Sequence, residues 1–203
     1  MLGTRIEAWL LRLAAAAMLA LAPAPAAAAV DLIFYSKEFG GGFPHAFVAL
    51  EGVDDRSGEK IHTNYGFTAT HISPAILMGS VKGEVMSADA PYVGRSDAHF
   101  ALTLSDAEYD AVTATIERWR TAAQPSYNLD KRNCVFFVAD IAKALGMKAE
   151  RPKALMKKPR SFLESLSNAN RDWLSARGAR FLRQAATDAS ARPYRFRGSP
   201  SGG

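Results

Sequence analysis

Tyr127-Asn128-Leu129-Asp130-Lys131-Arg132-Asn133-Cys134-Val135-Phe136-Phe137-Val138 contains the only cysteine of the 203-residue chain. Asn133 is a good N-cap and an apolar run follows it, so the pattern predicts a helix from Cys134 to about Leu145, with Gly146 as its C-terminal stop. The sulfur would sit on the first helical turn, where the positive end of the helix dipole favours thiolate over thiol. Two descriptions fit this cysteine. Cys134, Phe137, Ile141 and Leu145 share one helical stripe, which suits a buried core thiol. The helix-terminal placement suits a nucleophile.

Upstream of this helix the chain reads mostly as strands. Leu32 to Tyr35 is a short apolar run. Phe43 to Leu50 follows three glycines and alternates, with His45, Phe47 and Ala49 on one face and Ala46, Val48 and Leu50 on the other. Asp54 to Gly58 is a polar hairpin loop, and Lys60 to Tyr65 is its return strand. His62 and Asn64 share one face of that strand, and Ile61, Thr63 and Tyr65 the other. Gly83 to Ser87 and His99 to Leu104 are further strands, with His99 read as a surface position and His71 as a loop residue.

Helices follow. Ser105 and Glu108 form a capping box, and Tyr109, Val112, Ile116, Trp119 and Ala123 recur at helical spacing until Pro125. Another helix spans Pro159 to about Ser167. Asn170 to Ala186 reads as a basic amphipathic helix, with Trp173, Leu174, Phe181 and Leu182 apolar and Arg171, Arg177, Arg180 and Arg183 basic. Ala191 to Gly203 has the composition of a disordered tail. The fold class expected is α+β, an antiparallel sheet packed against helices.

The first 29 residues read as a secretory signal peptide. Arg5 and Arg12 are its basic region, Leu13 to Leu21 its apolar region, and Ala26 to Ala29 its small-residue cleavage site. Cleavage there leaves 174 residues, enough for one domain with a sizeable core. The mature protein is then expected in the periplasm or outside the cell, where a lone cysteine has no internal disulfide partner. Charge is uneven. Val30 to Met147 carries 10 Lys and Arg against 15 Asp and Glu, a net of −5; Lys148 to Gly203 carries 13 against 4, a net of +9. Such a basic end points to an anionic membrane surface, lipopolysaccharide or acidic wall polymer rather than to nucleic acid. A merely solvated tail fits as well.

A thiol nucleophile needs a base and a group that orients it. His45 and His62 lie on two strands joined by one loop, so a sheet can bring them together. Asn64 shares a face with His62 and is an alternative orienting or substrate-binding residue. Tyr127 is a candidate to support an oxyanion, or a packing tyrosine. His45 as a satisfied core histidine and His62 as a surface residue are the plainer alternatives. His45, His62 and Cys134 are also a formal three-ligand metal set, but no close C-x-x-C or H-x-x-x-H spacing accompanies them. No metal or cofactor is expected.

The block Gly42 to Gly52 with His45, then Lys60-Ile61-His62, then Asn133-Cys134-x-x-Phe137-Val138 resembles the circularly permuted branch of the NlpC-type papain-like superfamily, which includes lecithin:retinol acyltransferase-like proteins. There a histidine strand comes first and the cysteine helix last, the order seen here over roughly Phe43 to Leu145. The permuted papain-like domain is then expected over 30–168, followed by a basic extension over 169–203, the basic C-terminal quarter lying outside the resemblance. It implies Cys134 as nucleophile, His45 as general base and His62 as its orienting partner. The activity implied is hydrolysis or acyl transfer on an amide or ester, of a cell-wall peptide or a lipid. A non-catalytic protein that binds a lipid or wall fragment in the same pocket is the alternative.

Overall fold

The computed structural model describes residues 29–38 and 43–182. The expected signal peptide, apart from Ala29, and the expected disordered tail lie outside the described residues.

Five long or medium strands and a short sixth build one antiparallel sheet: β1 (Val30–Lys37), β2 (His45–Val53), β3 (Lys60–Ala69), β4 (Gly83–Met86), β5 (Asp97–Leu104) and β6 (Arg180–Phe181), in the spatial order β4-β3-β2-β1-β5-β6. The helices are α1 (Ala75–Met78), α2 (Ala90–Gly94), α3 (Asp106–Arg120), α4 (Cys134–Ala144), α5 (Pro159–Ala169) and α6 (Arg171–Ala176). The expected α+β class, an antiparallel sheet with helices, is what the structure has.

β1 is the central strand, and it is apolar on both faces because both are covered. Leu32 and Phe34 join Ala46, Val48, Leu50, Phe100 and Leu102 in the main core against α3, α4 and α5. Ile33 and Tyr35 join Phe47, Ala49 and Ala101 in a smaller core under Tyr92 and Val93 of α2. Helix α4 gives Phe137, Val138 and Ile141 to the main core, each fully buried. At roughly 1.5–3 kcal/mol per such side chain, this burial fixes α4 on the sheet.

The β2–β3 ladder is regular from Val53↔Lys60 to Val48↔Tyr65 and stops there. Beyond it, Gly66 to Ala69 pair with β4 instead. The two strands therefore part at the start of β2, and the N-terminus of α4 packs near this opening. The capping box forms as expected: the Ser105 backbone N–H donates to Glu108 Oε2 at 2.9 Å.

Two expectations are corrected here. His99 is buried and hydrogen-bonds Ser36 Oγ through Nε2 at 2.8 Å. The partner of Phe34 is Phe100 but that of Tyr35 is Ala98, so His99 is the extra residue of a β-bulge. The expected surface position rested on His99 starting a strand just after Asp97; the bulge instead turns its side chain inward. The helix expected over Asn170 to Ala186 ends at Ala176. Gly178, at φ +67°, turns the chain, and Arg180–Phe181 adds the sixth strand. The fold thus runs past residue 168. Its arginines are used internally: Arg177 pairs with Glu108, Arg180 with Asp31, and Arg171 stacks over Phe181.

Candidate active site

Asn133 builds the start of α4. Its Oδ1 accepts from Val135 N–H at 2.8 Å and, more weakly, from Phe136 N–H at 3.4 Å. Its Nδ2 donates to the carbonyls of Leu129 at 2.7 Å and Met156 at 2.8 Å. The side chain is buried and fully used, which anchors the residue before Cys134. The cap takes the second and third N–H groups of the helix and leaves that of Cys134 available. Asn133→Ala is expected to lower stability by about 2–4 kcal/mol in chemical denaturation, from a lost cap and two orphaned buried carbonyls.

Cys134 is the first residue of α4 and is buried. Its sulfur is close to the backbone N–H of Ala46 on β2, and to those of Val135 and Cys134 itself. Ala46 neighbours His45 in sequence, at the point where β2 and β3 part. The His45 ring leans over Gly66 of β3: a Cβ on Gly66 would lie 2.3 Å from His45 Nε2 and 3.1 Å from Phe47 Cβ. The ring also lies parallel to Phe47, with 6.1 Å between centroids.

Cys134 and His45 open onto one cleft of about 310 Å³. Asn64 and Tyr127 line it too, with Tyr92 of α2. Both phenols are close enough to Cys134 for a thiolate to disfavour their ionisation, although burial is the larger cause of their raised pKa values. Tyr127 is held by reciprocal backbone bonds with Val81, both at 2.9 Å, and its ring stacks on Phe67. Asn64 uses both ends of its amide on Ala88, accepting at 2.7 Å and donating at 2.9 Å. It ties the cleft wall together and is not turned to His45.

His62 is not in the cleft. It stands opposite Glu51 across the β2–β3 ladder and its ring nitrogen pairs with the Glu51 carboxylate. Glu51 is six residues along β2 from His45, about 20 Å at a strand rise of 3.3 Å. The expected role of His62 in orienting His45 is therefore corrected. Sharing a face of a hairpin does not make two residues neighbours when the register separates them along the strand.

The protonation states also differ from expectation. Burial pushes the Cys134 thiol up to about 11, against the opposing pull of the surrounding N–H groups. Burial likewise holds His45 down to about 4. At neutral pH the pair is thiol and neutral imidazole, not thiolate and imidazolium. Desolvation penalises both charges and outweighs the helix terminus. Alkylation by iodoacetamide at pH 8.5 is expected to run about 10- to 100-fold slower than for a free cysteine, the higher basicity of the thiolate offsetting part of its scarcity. A half-maximal rate at or below pH 8 would contradict this.

Comparison with protein-family models, with curated proteins and with solved structures found no match. The site therefore stands on its own geometry. Reasoning from sequence missed Tyr92, Gly66 and the Ala46 N–H. The signal that could have found α2 is Asp89 with Pro91, read as a helix start: in the structure Asp89 Oδ1 accepts the Tyr92 N–H at 2.7 Å. Nothing local aimed Tyr92 at Cys134.

Proposed function

We propose that the protein is a thiol-dependent hydrolase or acyltransferase acting on an ester or amide. The observation that carries this is the sulfur of Cys134 at a helix start, sharing a cleft with a neutral His45. A neutral imidazole has a ring lone pair free to accept a proton, and its burial makes it a weak base. As the sulfur attacks the substrate carbonyl carbon, His45 takes the thiol proton. The carbonyl oxygen becomes an oxyanion, for which the Cys134 N–H, not taken by the Asn133 cap, and the hydroxyls of the cleft-lining Tyr127 and Tyr92 are the proposed donors. Collapse breaks the bond to the leaving alcohol or amine, which receives the proton from His45. The thioester left on Cys134 passes its acyl group to water or to a second alcohol or amine, deprotonated by His45.

The strand order, with the His45 strand before the Cys134 helix and that helix packed on an antiparallel sheet, supports a permuted papain-like fold of the NlpC type. Export is part of the same proposal. β1 begins at Val30, directly after the expected cleavage point, so removal of 1–29 leaves every strand whole and takes away the 3.4 Å bond from the Val53 N–H to the Ala29 carbonyl. Contact with an anionic surface rests on the 9 Lys and Arg against 3 Asp and Glu of residues 148–182, together with the basic residues after 182, which lie outside the described residues.

The raised thiol pKa favours one other reading, a protein that binds a lipid or wall fragment without turning it over. Covalent trapping separates the two. With a p-nitrophenyl ester, intact mass should increase by one acyl group, located on Cys134 by peptide mapping. The same spectrum of the native protein should show a start near Val30. A folded protein that never acquires an acyl group would leave the binding reading.

A further inference from the structure

Arg132, two residues before Cys134, carries a cation that the proposed chemistry does not use. Its guanidinium is half-buried and held by rings more than by hydrogen bonds. The Cζ atom lies 3.8 Å from the ring centroid of Trp119 and 5.2 Å from that of Phe67. Its one side-chain hydrogen bond among the described residues is long, from Nη2 to the Trp119 carbonyl at 3.5 Å, and its Nε is buried with no partner. Burial disfavours the charge. A cation taken out of water with few hydrogen bonds adds little to stability, and an apolar side chain of similar length would pack as well. Stability alone does not account for a guanidinium at this position.

The contacts of Arg132 lead to the cleft. Trp119 is fixed at its edge, where Nε1 donates to Asp140 Oδ2 at 3.0 Å. Phe67 is fully buried and meets Trp119 edge-on, with 4.8 Å between centroids. The Tyr127 ring stacks on Phe67 at 5.8 Å and lines the cleft with Cys134. Gly83 of β4 closes on the same stack: a Cβ there would lie 2.6 Å from Phe67 Cζ and 2.8 Å from Tyr127 Cβ. The backbone makes a second tie, since Asn128 and Arg132 exchange N–H to carbonyl bonds at 2.8 and 2.9 Å. Tyr92, the other phenol of the cleft, sits on the five-residue α2 with its ring tilted at 52° to Phe47.

We propose that Arg132 is a positioning residue: by pinning Phe67 it holds the Tyr127 ring, and so makes the Tyr127 hydroxyl the principal side-chain donor to the oxyanion. A donor fixed before reaction stabilises the developing charge more than one that must be ordered during it. The effect on acylation rests on the proposed thiol chemistry; the hold on the ring does not.

The test uses the full mature chain. Arg132→Met keeps an extended side chain and removes the charge. The saturating rate of acylation by p-nitrophenyl acetate should fall about tenfold, with half-saturation unchanged. Alkylation by iodoacetamide should keep its rate, because it builds no oxyanion. The melting temperature should stay close to that of wild type, the lost ring contact being offset by the relieved desolvation. In a Tyr127→Phe background the same substitution should cost nothing further. An unchanged acylation rate, a loss that persists without the Tyr127 hydroxyl, or a parallel fall in melting temperature and in both rates overturns the proposal. 3-Fluorotyrosine in place of Tyr127 reads the ring without turnover. Its fluorine resonance should be single and sharp, and shifted or broadened by Arg132→Met; identical spectra overturn the positioning. That shift together with no acylation by any ester leaves the hold on the ring standing and removes the thiol chemistry.

Discussion

Gly66→Ala is expected to slow acylation of Cys134 by about 10²–10⁴-fold, as much as loss of a general base, while the protein stays folded. Gly66 has no left-handed φ, so alanine suits its backbone. The obstacle is the space above it. The new Cβ would sit 2.3 Å from His45 Nε2, far inside contact distance, and 3.1 Å from Phe47 Cβ. Phe47 is fixed by its stack on Tyr35, with centroids 5.0 Å apart. The imidazole is the movable partner and must swing off β3. A double-mutant cycle makes the cause specific: Gly66→Ala should cost almost nothing once His45 is already alanine. Full activity in Gly66→Ala would mean that the ring position is irrelevant to the chemistry.

Cys134→Ser is expected to remove covalent acylation completely and to keep the fold. The two side chains differ little in size, and Asn133, not Cys134, holds the helix start. A hydroxyl beside a weakly basic neutral imidazole is a far poorer nucleophile than a thiol. Retention of a stoichiometric acyl adduct in this variant would move the nucleophile elsewhere.

The parts of the fold legible in sequence are those set by local signals. The Ser105 capping box, the Asn133 cap and the Asp54–Gly58 loop with its alternating strands all occur where their patterns placed them. His45 and Cys134 reach one cleft because each lies at the start of an element, and element starts gather at the edge where β2 and β3 part. What sequence periodicity could not supply is position along and across the sheet. His62 shares the face of His45 by alternation, yet the register carries it about 20 Å away. His99 turns inward through a one-residue bulge that no alternation pattern announces. The apolar and basic spacing after Asn170 is helical, yet Gly178 breaks it, and pairing with β5 claims Arg180 and Phe181. The helix terminus alone predicted an acidic thiol; the burial that reverses this comes from packing of the helix against β2 and β3.

The most direct measurement is the rate of acyl-enzyme formation between pH 4 and 10, by intact mass, in wild type and His45→Ala. With His45 neutral above its pKa of about 4 and the thiol protonated up to about 11, the wild-type rate should rise through an acid limb near pH 4. It should then stay flat across neutral pH, because the base is already free and the nucleophile is deprotonated only during attack. His45→Ala should be slower by about 10²–10⁴-fold at pH 7 and should climb about tenfold per pH unit, as expected when hydroxide must do the work of the imidazole. Coincident profiles for the two proteins, or a wild-type acid limb near 8, would contradict a neutral Cys134–His45 pair acting by general-base catalysis.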